Sequence, residues 1–211
     1  MPSLDTTDFG FNRSQLPEGL IDDPASFFGM AGGGRPLDLE IGSGKGTFLA
    51  QHAPMEPGTD FLGVEWTREF WRHAADRVRR HDLPNARVLW HDANVFLRRN
   101  VGDGVFRRIH LYFPDPWPKA RHHKRRTLQL KFLEQAHRVL EPGGTLRVVT
   151  DHADYFAWME DHVAQAAHLF DRQPFEPLPS AGPGEWVGTN FERKYAVEGR
   201  TFNGMILHRK S

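Results

Sequence analysis

The 211-residue sequence contains no cysteine. That absence excludes a disulfide framework, a thiolate-held zinc or iron–sulfur centre and a cysteine nucleophile. Also missing is any stretch approaching 18 uncharged apolar residues, the length of a membrane-spanning helix. Met1 to Phe11 includes Asp5 and Asp8 and no apolar run, unlike a secretory leader. The expectation is a soluble, unexported, cytoplasmic protein with no membrane partner. Net charge is absent too, since 27 Lys+Arg balance 27 Asp+Glu, so any affinity for nucleic acid must be local. Twelve histidines are present without an HExxH or comparable ligand spacing, and no metal is expected. What remains is 39% hydrophobic and 12% aromatic, too apolar for a disordered chain despite 26% charged residues. At about 150 residues per domain the length allows one domain with an appendage.

Residues 1–35 show no sustained period and end in Gly32-Gly33-Gly34, which reads as an irregular N-terminal extension with a joint before a domain spanning 36–211. From Leu37 onward, short apolar runs at Leu37–Ile41, Phe61–Val64, Val88–Trp90, Ile109–Phe113 and Leu146–Val149 predict strands. Helical stripes lie between and after them, at Phe70–Val78, Leu128–Leu140 and, after the fifth strand, Phe156, Met159, Val163, Ala166, Ala167 and Phe170. Glu141-Pro142-Gly143-Gly144 predicts the turn into that fifth strand. Alternating strand and helix with fully apolar strands predicts an α/β fold, a parallel sheet with helices on both faces. Pro174, Pro177, Pro179 and Pro183 mark a long loop before a last apolar run at Met205–Leu207, long enough to be a functional suspect.

Leu37 to Gly46 reads LDLEIGSGKG, a glycine-rich turn between the first predicted strand and a helix. Glycines there let the backbone approach a ligand closely. A P-loop does not fit, because Leu39 stands at its first glycine and Gly46 where Ser or Thr should follow the lysine. The spacing of Gly42, Gly44 and Gly46 is also one residue short of the dinucleotide fingerprint. Glu40 would repel a pyrophosphate but suits a cation. S-adenosyl-L-methionine offers a sulfonium, an ammonium and a ribose diol. Glu65, at the second strand end and 19 residues past Gly46, can accept both ribose hydroxyls, and Asp92 at the third strand end can meet an adenine amino group. Each acid taken alone reads equally well as a helix N-cap; three at successive strand ends favour a ligand.

Tyr112 to Lys119 reads YFPDPWPK, where three prolines in five residues pre-set a stiff loop holding Asp115 and Trp117 at the carboxyl edge of the sheet. Lys119 to Arg126 then places five formal positive charges in eight residues, a patch suited to a phosphate backbone or, on the plainer reading, a solvated face.

These segments, together with Thr189-Asn190-Phe191-Glu192-Arg193, resemble the tRNA (guanine-N7)-methyltransferase family over about Leu37 to Arg209. The glycine turn is shared with many methyltransferases; the Pro-Asp-Pro-Trp loop with its basic tail, and the late Thr-x-Phe-Glu, are far more specific. The resemblance implies a Rossmann-like class I fold with a mostly parallel seven-stranded sheet. It implies methylation by S-adenosyl-L-methionine of N7 of a guanine in tRNA, at position 46 of the variable region. Carried over by residue, it implies cofactor contacts at Glu40, Gly42, Gly44, Glu65 and Asp92, and a catalytic carboxylate at Asp115. Substrate contacts are implied at Lys119, Asp151, Thr189, Asn190, Phe191 and Glu192, and RNA contacts at Arg121, His122, His123, Lys124, Arg125 and Arg126. Residues 1–35 match no family pattern.

Guanine N7 carries no proton, so its methylation needs no base before attack, and Asp115 would stabilise charge or hold the base. Three other readings compete on the residues alone; a nicotinamide oxidoreductase is disfavoured by the glycine spacing, and two stay open. One is a methyltransferase for an exocyclic amine, with Asp115-Pro116-Trp117 in place of Asp-Pro-Pro-Tyr; the other is a non-catalytic RNA-binding module, which would need neither Glu40 nor Glu65.

Overall fold

A computed structural model describes residues 4–16, 18–23, 26, 28 and 34–211. Its strands are β1 Gly10–Asn12, β2 Leu37–Ile41, β3 Asp60–Glu65, β4 Ala86–Trp90, β5 Phe106–Tyr112, β6 Leu140–Thr150, β7 Phe170–Pro174 and β8 Asn203–Arg209. The helices are α1 Thr47–His52, α2 Arg68–Arg80, α3 Ala93–Asn100, α4 Leu130–Val139, α5 Ala153–Gln165 and α6 Asn190–Val197. The strands form one sheet in the order β1-β4-β3-β2-β5-β6-β8-β7. All pairs are parallel except those of β8, which runs antiparallel to both β6 and β7.

Burial on both faces explains why the central strands are apolar throughout. One core cluster joins Leu39, Leu62, Leu111 and Val148 to Phe96 of α3, Leu133 of α4 and Met159 of α5. The other joins Phe61, Val88 and Val149 to Phe48 of α1 and to Trp71, Ala74 and Val78 of α2. The i, i+4 stripes thus cover opposite faces, and each large side chain so buried contributes roughly 1.5–3 kcal/mol. The strand order reverses between β2 and β5, and the carboxyl ends of β2 to β6 share one edge, where open α/β sheets bind ligands.

Three expectations need correction. The sheet has eight strands rather than seven, because Gly10–Asn12 of the extension pairs with Val88–Trp90. The rest of the described extension is largely irregular, although Ile21 and Phe28 are buried in the first core cluster; Gly32 and Gly33 lie outside the described residues. The third helical stripe stops at Gln165, and Phe170 instead opens β7, whose other four residues are exposed. The Glu141–Gly144 turn lies within β6 as an irregularity, between the Phe106↔Leu140 and Arg108↔Thr145 pairs. Among the described residues no helix is long and apolar enough to cross a membrane.

Candidate active site

The turn after β2 is held by its backbone. Gly42, Gly44 and Gly46 all have positive φ, and Gly42 N–H donates to the Val64 carbonyl at 2.8 Å. A Cβ on Gly46 would meet Ala74 Cα and Cβ at 3.0 Å, so this glycine also permits the close approach of α1 to α2. Glu65 completes the unit. Its Oε2 accepts from Gly44 N–H at 2.9 Å and its Oε1 from Thr67 N–H at 2.6 Å. Burial raises the Glu65 pKa above the ordinary glutamate value.

A cavity of about 260 Å³ opens against this turn, lined by Glu40, Gly42, Gly44, Thr189, Asn190 and Phe191 among the residues expected from sequence. Glu40 is 5% exposed and its Oε2 has no hydrogen-bond partner. Burial, and secondarily the charge of Glu65, pushes its pKa up to about 8. An orphaned, buried carboxylate oxygen in a cavity wall fits a cationic ligand group.

The Pro-Asp-Pro-Trp loop leaves β5 with Phe113 at φ 50° and Trp117 at φ 43°, both left-handed and neither glycine. Such backbone must be held from outside. Phe113 packs against Tyr195 of α6 at 6.0 Å between ring centroids, and Arg126 Nε donates to the Pro116 carbonyl at 2.8 Å. Asp115, between them, is exposed. Its charge raises the pKa of Glu65 and of Tyr195, though in each case burial is the larger cause, which sets Asp115 near both the glycine turn and α6.

Below the cavity a polar chain runs into the core. The Tyr112 hydroxyl lies 2.7 Å from His110 Nδ1, and His110 Nε2 lies 3.4 Å from Asp38 Oδ2. Asp38 takes both nitrogens of the Arg107 fork, at 2.9 and 3.0 Å. With His110 kept neutral by burial, the consistent arrangement has Nε2–H donating to Asp38 and the tyrosine hydroxyl donating to Nδ1.

A family model described as "Putative methyltransferase" matches residues 34–202. A curated tRNA (guanine-N(7)-)-methyltransferase of Corynebacterium diphtheriae is 37% identical, covering 89% of this chain and 72% of the relative. One from Alkalilimnicola ehrlichii is 39% identical over 88% of this chain and 76% of the relative. The chain belongs to the tRNA (guanine-N7)-methyltransferase family. Solved structures agree on the fold: the aminoglycoside resistance methyltransferase NpmB1 superposes with a TM-score of 0.57 at 17% identity, covering 83% of this chain and 88% of that one. The 30S ribosomal A1408 methyltransferase UncKam from an uncultured bacterium gives 0.59 at 11%, covering 91% and 99%. The sheet is that of class I methyltransferases, with β1 in addition to the expected strands.

Set on this family scaffold, the remaining residues fall outside the cavity lining. Asp92 caps α3, its Oδ1 accepting from Val95 N–H at 3.0 Å, so the plainer N-cap reading holds for one oxygen. Asp151 is paired with Arg200. Glu192, 1% exposed, accepts from the amides of Trp186, Val187 and Gly188. It fastens the loop that carries α6. In the basic segment, a 3-10 helix over Ala120–Arg125, Lys119, Arg121, Lys124 and Arg125 are exposed while His122 and His123 are half-buried. Arg125 stacks on Trp117 at 4.8 Å. Arg126 departs from the solvent-facing patch expected: it is 3% exposed, between the rings of Tyr155 at 4.9 Å and Trp158 at 5.0 Å.

Sequence reasoning missed Lys45, Phe48, Phe70, Tyr112, Phe113 and Lys194 in the cavity wall. Thr189 caps α6 with Oγ1 accepting from Glu192 N–H at 3.2 Å, and its Thr-x-x-Glu spacing is a capping signature that was available to find the helix. Among the described residues no group of three or more His, Cys, Asp or Glu is placed to hold a metal.

Proposed function

We propose that this chain transfers a methyl group from S-adenosylmethionine to N7 of a guanine in tRNA, at position 46 of the variable region, in the cytoplasm where that substrate resides. The reading rests above all on Glu40, a buried carboxylate with one unpartnered oxygen in the wall of the cavity at the glycine turn. Residues 36–211 form the methyltransferase domain and residues 1–35 its extension.

Glu40 would face the cationic part of the cofactor, Gly42 and Gly44 would admit its close approach, and Glu65 would accept from the ribose diol. Asp92 keeps Oδ2 for an amino group beyond its capping bond. When bound, the cofactor supplies an electrophilic methyl group on a sulfonium. N7 presents a lone pair, so no residue has to remove a proton first. Asp115 contributes a negative charge beside a ring that becomes cationic as the N7–methyl bond forms and the sulfur–methyl bond breaks. Alignment of the two atoms supplies most of the acceleration, for which about 7–11 kcal/mol is available in favourable cases.

Phe191 and Asn190, on the first turn of α6, and Thr189 as its cap meet the substrate directly in this reading. Glu192 positions them from behind. The exposed cations Lys119, Arg121, Lys124 and Arg125 hold the RNA backbone, while Arg126 holds the loop that presents Asp115. N7 is hidden in the deep groove of A-form RNA, which accounts for aromatic and acidic groups next to a phosphate-binding patch. Incubating the protein with methyl-labelled cofactor and bulk tRNA, followed by nucleoside analysis, tests the assignment. Label in 7-methylguanosine is expected; label in any other nucleoside, or none, overturns it.

A further inference from the structure

Two aromatic and lysine pairs of similar composition line the cavity. In the first, Lys45 of the glycine turn sets its Nζ 5.7 Å from the centroid of the Phe70 ring on α2. In the second, α6 presents Phe191 and Lys194 around Tyr195, with Phe191 at 6.1 Å and the lysine at 5.6 Å from the tyrosine ring. Phe70 is 37% and Phe191 49% exposed, although both line a cavity that could have buried them. Among the described residues no carboxylate pairs with Lys45, and Lys194 meets only the exposed Glu198 at 4.0 Å. Partly exposed aromatic rings beside ammonium groups match a ligand with flat bases and phosphates.

We propose that the Lys45–Phe70 pair docks an unpaired nucleotide adjoining the target guanine, Phe70 stacking its base and Lys45 taking a phosphate, in the cavity that Phe191 of α6 also lines. This rests on the tRNA reading above and extends it to residues outside the family motifs quoted for the substrate. The basic helix over Ala120–Arg125 follows β5 in the chain, so in this reading the RNA meets two separate elements. A base pulled out of its tertiary contacts leaves its neighbour unstacked, and an aromatic ring in the cavity compensates that loss. The charge pattern sets this pair apart from an ordinary apolar cavity lining.

The full chain carrying Phe70→Ala, Phe70→Trp or Lys45→Ala tests this against wild type, with steady-state methylation, tRNA binding across salt concentrations and calorimetry with S-adenosylmethionine. Phe70→Ala is expected to raise the KM for tRNA roughly 5- to 160-fold, the span of one lost base–aromatic stack, with any loss of cofactor affinity smaller than that and Phe70→Trp restoring the KM. Lys45→Ala is expected to reduce the log–log salt slope of tRNA binding by about 0.7–0.9. Unaltered tRNA affinity and KM in an active enzyme would overturn the docking site alone. Weakened cofactor binding with unaltered tRNA affinity would overturn it as well, and make the pair part of the cofactor pocket. A wild-type protein that leaves tRNA unmethylated would overturn the tRNA reading together with it.

Discussion

The amide of Gly44 donates to Glu65 Oε2 at 2.9 Å, so the acidic end of β3 and the glycine turn after β2 form a single unit. With Thr67 N–H on the other oxygen, the carboxylate also fixes the start of α2. Any ligand bound at the turn therefore meets a pre-set acceptor whose lone pairs are only partly used.

Glu65→Ala should weaken binding of S-adenosylmethionine by roughly 1.5–3 kcal/mol, the range for hydrogen bonds to a charged group. Glu65→Gln, which retains one carbonyl acceptor, should lose less. Calorimetric titration measures both, and an unchanged dissociation constant in Glu65→Ala would remove this residue from the cofactor site.

Glu40 should couple cofactor binding to pH. With the folded pKa pushed up to about 8 from the ordinary 4.5, the cofactor-free protein holds a proton that the unfolded chain releases. The stability this contributes is fully present below pH 4.5 and is lost as pH rises through 8, at about 1.4 kcal/mol per pH unit. A cationic ligand favours the ionised carboxylate, so affinity should increase from pH 6 to 8 with proton release on binding. Titrations in two buffers of different ionisation enthalpy give the proton count; pH-independent affinity with no release would contradict this. In Glu40→Gln, the loss of unliganded stability between pH 6.5 and 8 should disappear.

The basic segment separates into exposed cations and the buried Arg126. Arg125→Ala should lower tRNA affinity and its salt slope by about 0.7–0.9 while leaving the melting temperature nearly unchanged. Arg126→Ala removes a bond to the Pro116 carbonyl and contacts with two aromatic rings, at a cost of roughly 2–4 kcal/mol in stability, and should leave the salt slope intact. Equal effects on the salt slope from both variants would restore Arg126 to the RNA surface.

The fold was legible wherever burial imposes a period. Strands β2 to β6 and β8 announce themselves as apolar runs because helices or loops cover both faces, and α2 and α4 by their i, i+4 stripes. Gly10–Asn12 gives no such signal, since a three-residue edge strand is defined by backbone pairing alone. Phe170–Pro174 buries only Phe170, and one apolar residue extends a helical stripe as easily as it starts a strand. For the site, acids at strand ends were readable because parallel pairing puts those ends on one edge. The burial of Arg126 was not, for it depends on Tyr155 and Trp158 about thirty residues away. Lys45 and Phe70 likewise meet only through the packing of α1 on α2.

His52 sets an acid limit on stability. It is 1% exposed, with Nδ1 2.6 Å from Ser180 Oγ and Nε2 3.2 Å from Glu56, and burial lowers its pKa to about 4. The unfolded chain takes up a proton at about 6.5 that the folded one refuses, so this contribution is lost as pH falls from 6.5 to 4, by roughly 3 kcal/mol. Glu40 has the opposite slope above pH 4.5 and masks it. Urea unfolding of Glu40→Gln should therefore reveal stability falling below pH 6.5, and adding His52→Gln should flatten that fall. An equally steep decline in the double variant would place the acid sensitivity elsewhere.

Asp115 and the methylated atom can be tested together. Replacing the target guanine by 7-deazaguanine removes the N7 lone pair and preserves the Watson–Crick edge, so tRNA binding should survive and methyl transfer should vanish. Asp115→Asn deletes a negative charge close to Glu65 and Tyr195 without altering the shape of the loop, since the side chain is exposed and its backbone is held by Phe113 and Arg126. Single-turnover transfer to normal tRNA should then slow by about 100- to 1,000-fold, the scale for losing one preorganised electrostatic group, with little change in tRNA affinity. An amine-directed enzyme behaves otherwise, because the exocyclic nitrogen of the 7-deaza base is still available. Methyl incorporation into the 7-deaza tRNA would sink the N7 assignment and give Asp115 the task of engaging an amine.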